Sequence, residues 1–134
     1  MENKQVIIGF TGSRLGMHDK QISQFVEEFN QLMVCEFHHG DCLGADEISH
    51  DIVFEFFPNA TIHIHPPTNS IKRAYCKGGI LHPEKPYMAR NQDIIDACDI
   101  LIAAPSGPEE LRSGTWSTVR KARIAQKKII ILQW

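Results

Sequence analysis

The sequence predicts a three-layer α/β architecture, with helices on both faces of a five-stranded, mostly parallel sheet in the order 3-2-1-4-5. Two observations carry this reading. Short β-branched or apolar runs alternate with longer stretches of helical periodicity along the whole chain, the pattern that right-handed crossovers turn into a sheet covered on both sides. In addition, the polar, glycine-rich turns at 11–16, 39–44 and 105–114 each leave the carboxyl end of a predicted strand.

Residues 4–10, with Val6-Ile7-Ile8, read as a buried first strand. From about His18 to Met33, the residues Ile22, Phe25, Val26, Phe29, Leu32 and Met33 recur at helical spacing, and Asp19 sits where a carboxylate favours a helix start. Val34–His38 is the second strand. A helix from Ala45 to Phe57 should bury Ile48, Ile52, Val53, Phe56 and Phe57, with Pro58-Asn59 ending it. Thr61–His65 alternates apolar and polar residues as a half-buried strand does, and Pro66-Pro67 stops it. His63 and His65 share a parity there, which a strand near a sheet edge explains without a ligand.

Residues 68–85 are irregular and rich in Asn, Gly, Pro and Lys; loops of that length tend to be functional or mobile. A third helix follows from Pro86 to about Ala97, with Met88, Ile94 and Ile95 inward. Asp99–Ala104 is a strand, and the helix from about Ser113 to Ala125 carries Trp116, Val119 and Ala122. Lys128–Leu132 closes the sheet.

The chain of 134 residues fits one domain, and 43% hydrophobic with 22% charged residues is an ordinary globular composition. A net charge of −2 argues against a nucleic-acid binder driven by bulk electrostatics. Cys35, Cys42, Cys76 and Cys98 lack Cys-x-x-Cys spacing and read as reduced thiols of a cytoplasmic protein. No stretch approaches the apolar length of a membrane span and no basic-then-apolar leader is evident, so no membrane partner is expected.

In the predicted strand order the winding reverses between the first and fourth strands, and ligands of such sheets bind outside the carboxyl ends at that reversal. The first turn, Thr11-Gly12-Ser13-Arg14-Leu15-Gly16, offers N–H groups, hydroxyls and a guanidinium to phosphate oxygens. It is not the full Gly-x-Gly-x-x-Gly fingerprint, so a turn that needs glycine for geometry alone is the alternative. Ser113-Gly114-Thr115 opens a helix and makes a second cradle, or simply a cap. In His39-Gly40-Asp41-Cys42-Leu43-Gly44-Ala45-Asp46, Asp46 suits a helix start, while Asp41 could accept from ribose hydroxyls or orient a water. Arg90 and Asn91 lie early in their helix and could face the same crevice.

Arg14, Arg73, Arg90 and Arg112 are the cations open to a phosphate, with surface ion pairing the default for Arg73 and Arg112. Trp116 either stacks on a base, packs in the core or contacts another subunit. Glu109 and Glu110 either stabilise positive charge on a sugar or belong to a solvated loop. His38, His39, Asp41, Cys42, Asp46 and His50 are metal-capable, but strand alternation separates His38 from His39 and no recognised ligand spacing is present. Neither a metal nor a cofactor is expected.

Gly12-Ser13-Arg14, the His39–Asp46 segment, Arg90-Asn91 and Ser113-Gly114-Thr115 together resemble the SLOG superfamily, which includes DNA-processing protein A and the cytokinin-activating phosphoribohydrolase LOG. The likeness covers nearly the whole chain, and the second piece looks most like small members of that group. It implies a Rossmann-like fold that binds nucleotides or nucleotide-derived ligands, often as a homo-oligomer. In the phosphoribohydrolases a proline-glycine-glycine-x-glycine-threonine-x-x-glutamate motif holds phosphate and supplies an acid, assisted by an arginine. Gly114-Thr115 and Arg90 match parts of it, but Thr118 stands where the glutamate belongs and the double glycine is absent.

The leading expectation is therefore a nucleotide-like ligand held by Gly12, Ser13, Arg14, Gly40, Asp41, Gly44, Asp46, Arg90, Asn91, Ser113, Gly114 and Thr115. The alternative is cleavage or transfer of an N-glycosidic bond in a nucleoside or its 5′-monophosphate, with Asp41, Glu110 and Arg90 as the catalytic set. Single-stranded DNA binding, as in DNA-processing protein A, ranks below both for a small, slightly acidic chain.

Overall fold

A computed structural model describes residues 4–134. The elements are β1 (Gln5–Gly12), α1 (Asp19–Gln31), β2 (Met33–His39), α2 (Ala45–Phe56), β3 (Thr61–Ile64), a 3-10 turn (Ser70–Lys72), β4 (Ile80–Leu81), α3 (Tyr87–Ala97), β5 (Ile100–Ala104), α4 (Gly114–Ile124) and β6 (Lys128–Ile131). The sheet order is β4-β3-β2-β1-β5-β6, and every strand pairing is parallel.

Five of these strands stand in the predicted sequence of neighbours. The sheet nevertheless has six, because residues 68–85 contain β4 rather than an unbroken loop. Two residues give no periodicity to read, and Ile80 and Leu81 remain 49% and 60% exposed, so no burial pattern marks them. Tertiary pairing makes the strand: His63 stands opposite Ile80, Ile64 opposite Leu81, and the His82 amide donates to the Ile64 carbonyl at 2.9 Å. Gly78 permits the approach. Its φ is +92°, and a Cβ there would lie 2.2 Å from the Phe54 ring.

One sheet face packs Ile8, Phe10, Phe37, Ile62, Ile64 and Ile102 against Phe25 and Phe29 of α1 and Ala45 and Val53 of α2. Aromatic edges fill this layer, with Phe10 and Phe25 rings 5.6 Å apart and nearly perpendicular. The opposite face packs Leu101 and Ala103 against Ile95 and Cys98 and against Trp116, Val119 and Ala122 of α4. Trp116 is thus a core residue, its indole N–H donating to the Gly107 carbonyl at 3.0 Å. Three residues expected on apolar helix faces turn outward, Met33 among them: it opens β2 instead of ending α1 and is 47% exposed. Phe56 is 65% exposed in the last turn of α2, since Val53 already points inward from that turn, and Met88 is 66% exposed in the first turn of α3. No helix among the described residues is long and apolar enough to cross a membrane.

Candidate functional site

β1 and β5 are neighbours, yet the chain leaves β1 toward β2 on one side and leaves β5 toward β6 on the other. Their following loops separate at the carboxyl edge and open a cleft of about 610 Å³. Gly12, Ser13 and Arg14 form one wall; Ser113, Gly114 and Thr115 form another, with Glu110 and Arg112 beside them. Gly40, Cys42 and Asp46 lie along the floor side, together with Tyr87, Arg90 and Asn91 from α3.

Three amides of the first turn are taken within the fold. Ser13 N–H donates to the Ala104 carbonyl at 3.0 Å, Gly16 N–H to the Ser13 carbonyl at 3.1 Å, and Leu15 N–H to Ser13 Oγ at 3.0 Å. The Ser13, Leu15 and Gly16 amides are thus taken, and what this turn presents is Arg14, whose exposed side chain lies 5.9 Å over the Tyr87 ring. Gly44 stands behind the wall rather than in it. Its φ is +92°, and a Cβ would sit 2.3 Å from the Arg14 carbonyl oxygen, so glycine lets α2 begin directly beneath the first turn.

The start of α4 retains its donors. Ser113 Oγ caps the helix by accepting from Trp116 N–H at 3.2 Å, while the Gly114 and Thr115 amides have no acceptor among the described residues. Capping and an open amide pair coexist. Thr118 is buried one turn further on and donates its hydroxyl to the Gly114 carbonyl at 3.1 Å. No carboxylate occupies that position.

The two aspartates of the second loop separate completely. Asp41 is fully buried outside the cleft lining, and both its oxygens are taken: Arg73 Nε donates to Oδ2 at 2.8 Å and Cys76 N–H to Oδ1 at 2.8 Å. It pins the segment after the 3-10 turn and has no oxygen left for a sugar hydroxyl. Asp46 does face the cleft. Its Oδ2 accepts from Cys42 N–H at 3.1 Å, whereas Oδ1 is buried without a partner. Burial pushes this carboxyl up to about 6, against the opposing pull of the Arg90 guanidinium. The Tyr87 hydroxyl, in the same cleft, is likewise buried and unpaired.

Arg90 is 6% exposed and already engaged. It donates to the Gly40 carbonyl, to the His65 carbonyl at 3.1 Å and to Asn91 Oδ1 at 2.8 Å, joining the ends of β2 and β3. Its charge reaches the cleft, but its donors serve the fold. Glu109 turns away onto Arg120 and Arg123, at 3.2 and 3.0 Å, and the Arg123 hydrogen bond holds it below the usual carboxylate range. Arg73 is bound to Asp41. Among the described residues Arg14 and Arg112 make no ion pair.

Among the histidines beside this loop, His39 Nδ1 accepts from Asp41 N–H at 3.0 Å. That fixes the proton on Nε2, which donates to His50 Nδ1 at 2.9 Å, and His50 Nε2 then donates to the Lys77 carbonyl at 2.7 Å. Cys76 completes a metal-capable trio, but a cation here would force the His39 proton onto the nitrogen that faces Asp41 N–H. The chain is structural, and burial holds His39 well below the usual imidazole range.

Tyr87, Ser106 and Ser117 line the cleft and are passed over by the sequence reading; for Tyr87 a signal exists. Tyr87, Arg90 and Asn91 stand at i, i+3 and i+4 on one helix face.

The fold and cleft define a Rossmann-like α/β architecture with an open cleft at the topological switch point. Among solved structures, the chain is similar to the molybdenum cofactor binding protein from the phototrophic bacterium Rippkaea orientalis, with a TM-score of 0.69 and 18% identity over 97% of this chain and 77% of that one. This likeness supports a related fold, and the narrower SLOG likeness rests on the motifs alone. No family model and no curated protein matches the chain.

Proposed function

We propose that the chain binds a small, anionic, nucleotide-derived ligand in the cleft at the carboxyl edge. The observation that carries this reading is one cavity bounded by the open Gly114 and Thr115 amides and by two guanidinium groups, Arg14 and Arg112, that make no ion pair among the described residues. Helix-start amides and planar guanidinium groups are the donors that suit phosphate oxygens. Asp46 Oδ1 and the Tyr87 hydroxyl, both unpaired, are suited to the polar edge of the remainder of the ligand. The name of the structural neighbour, a binder of a small cofactor, points the same way. An assembly of several copies belongs to this reading, since Leu15 beside Arg14 and Leu111 beside Arg112 are 88% and 89% exposed. Calorimetry with a panel of nucleoside mono-, di- and triphosphates and cyclic nucleotides tests it; absence of phosphate-dependent binding defeats it.

A second reading, hydrolysis or transfer at an N-glycosidic bond, is favoured by one feature. Asp46 carries a carboxyl that titrates near neutrality within the cleft, the property of a general acid or base. Asp46 and Glu110 would be its carboxylates, with Asp41 replaced in that role. Incubation with nucleosides and their 5′-monophosphates should release free base from the intact chain and not from Asp46→Asn.

A further inference from the structure

A group of histidines lies on β2, β3 and the residue after β4, apart from the ligand cleft. Glu36 and His38 share one face of β2, His63 lies opposite His38 on β3, and His65 directly follows that strand. His82 follows β4 at the sheet edge. None of these five residues lines the cleft.

The side chains converge. The His38 and His63 rings stack at 4.2 Å with planes only 4° apart. Both meet Glu36 Oε1, at 2.9 Å from His38 and 3.4 Å from His63. The three potential ligand atoms all lie within 4.8 Å of one another. Behind them, His38 Nδ1 meets His65 Nε2 at 2.8 Å, and His63 Nδ1 meets His82 Nε2 at 2.9 Å. The rear pair also stacks, at 4.2 Å.

More than one ion pair is involved: the Nε2 atoms of both rings reach the same Glu36 oxygen, and both Nδ1 atoms reach a further imidazole. Neutral imidazole is the form that ligates a metal. A metal-bound histidine also uses its second nitrogen to hydrogen-bond an orienting partner, and both rings have such a partner here.

We propose that Glu36, His38 and His63 form a binding site for a divalent first-row transition-metal cation, Zn²⁺ above all, oriented by His65 and His82. Two imidazoles and one carboxylate form a ligand set that suits zinc and leaves coordination positions for water. A modest tilt of the stacked rings brings both nitrogens onto one ion, with their Nδ1 protons donated to the rear pair. Glu36 and His63 side chains are 37% and 16% exposed, which leaves an approach from solvent. By contrast, the His39–His50–Cys76 trio has its inner proton committed to a hydrogen-bonded chain.

The test uses the full untagged chain, stripped with chelator and titrated with Co²⁺ and then Zn²⁺. We expect one equivalent of Co²⁺ to produce visible ligand-field absorption that Zn²⁺ displaces. Glu36→Gln and His63→Ala should each weaken binding at least ten-fold, while Cys76→Ser leaves it unchanged. Circular dichroism reports whether each variant folds, and the isosteric Glu36→Gln carries the test alone if His63→Ala does not. Absence of Co²⁺ absorption and of Zn²⁺ heat overturns the proposal. So does binding that survives Glu36→Gln in the folded chain, or that is lost in Cys76→Ser.

Discussion

Cys42 N–H donates to Asp46 Oδ2 at 3.1 Å, whereas Oδ1 of this cleft-lining residue is buried with no partner among the described residues. The carboxyl is pushed up to about 6, so it is neutral below that pH and anionic above it. A buried anion opposes the anionic ligand proposed for this cleft. Affinity for a phosphate-bearing ligand should therefore fall as pH rises through about 6, and Asp46→Asn should flatten that dependence. The folded value lies above the ordinary 3.8, so the stability this group contributes is present below 3.8 and lost as pH rises through about 6. Asp46→Asn should accordingly gain on the order of 1–3 kcal/mol at neutral pH relative to the parent. Calorimetry and urea unfolding at several pH values check both outcomes.

Arg14 and Arg112 test the cleft without disturbing the fold. Both are exposed and make no ion pair among the described residues, so alanine at either should change stability by less than about 0.5 kcal/mol. Loss of a charge-assisted hydrogen bond of about 1.5–3 kcal/mol corresponds to a ten- to hundred-fold weaker affinity for a phosphorylated ligand. Unchanged affinity in the double variant would remove the electrostatic basis of the proposed site.

Asp41 should behave as a structural residue. It is fully buried and bound to Arg73 and to the Cys76 amide, so Asp41→Ala strands a backbone donor and leaves Arg73 only its longer 3.7 Å pairing with Glu84. Breaking such a pair costs about 3–5 kcal/mol. Hydrogen exchange should show residues 70–77 opening first, while the folded fraction keeps its ligand affinity. A variant of normal stability that fails to bind would return Asp41 to the site.

The histidines predict acid lability. His38, His39, His63 and His65 all sit below the ordinary 6.5, with burial the largest cause in each, and His65 is held at about 3. The unfolded chain takes up protons from 6.5 downward while the folded chain resists, so stability falls as pH drops below 6.5. Each fully resisting group contributes about 1.4 kcal/mol per pH unit. Asp46 works in the opposite direction between 6 and 3.8, but it is one group against four. The urea midpoint should be clearly lower at pH 5 than at pH 7; equal midpoints would show that the imidazoles are protonated in the folded state.

What the sequence by itself determined is the order of five strands and the edge at which their polar turns emerge. Those follow from local quantities, namely hydrophobic period and turn chemistry, and from the handedness of crossovers. Gly12, Ser13, Arg14, Ser113, Gly114 and Thr115 could be assigned to one rim because each follows directly on a strand or opens a helix. The tertiary structure alone decided which of their groups remain available. Asp41 and Asp46 are five positions apart in the same turn, yet Arg73, some thirty residues later, consumes one while the other keeps a bare oxygen. The same holds for β4, which exists because β3 offers its edge, and for the histidine group, whose members lie on separate strands. Hydrogen-bond capacity is shared among neighbours in space, and spacing along the chain carries no record of which neighbour takes it.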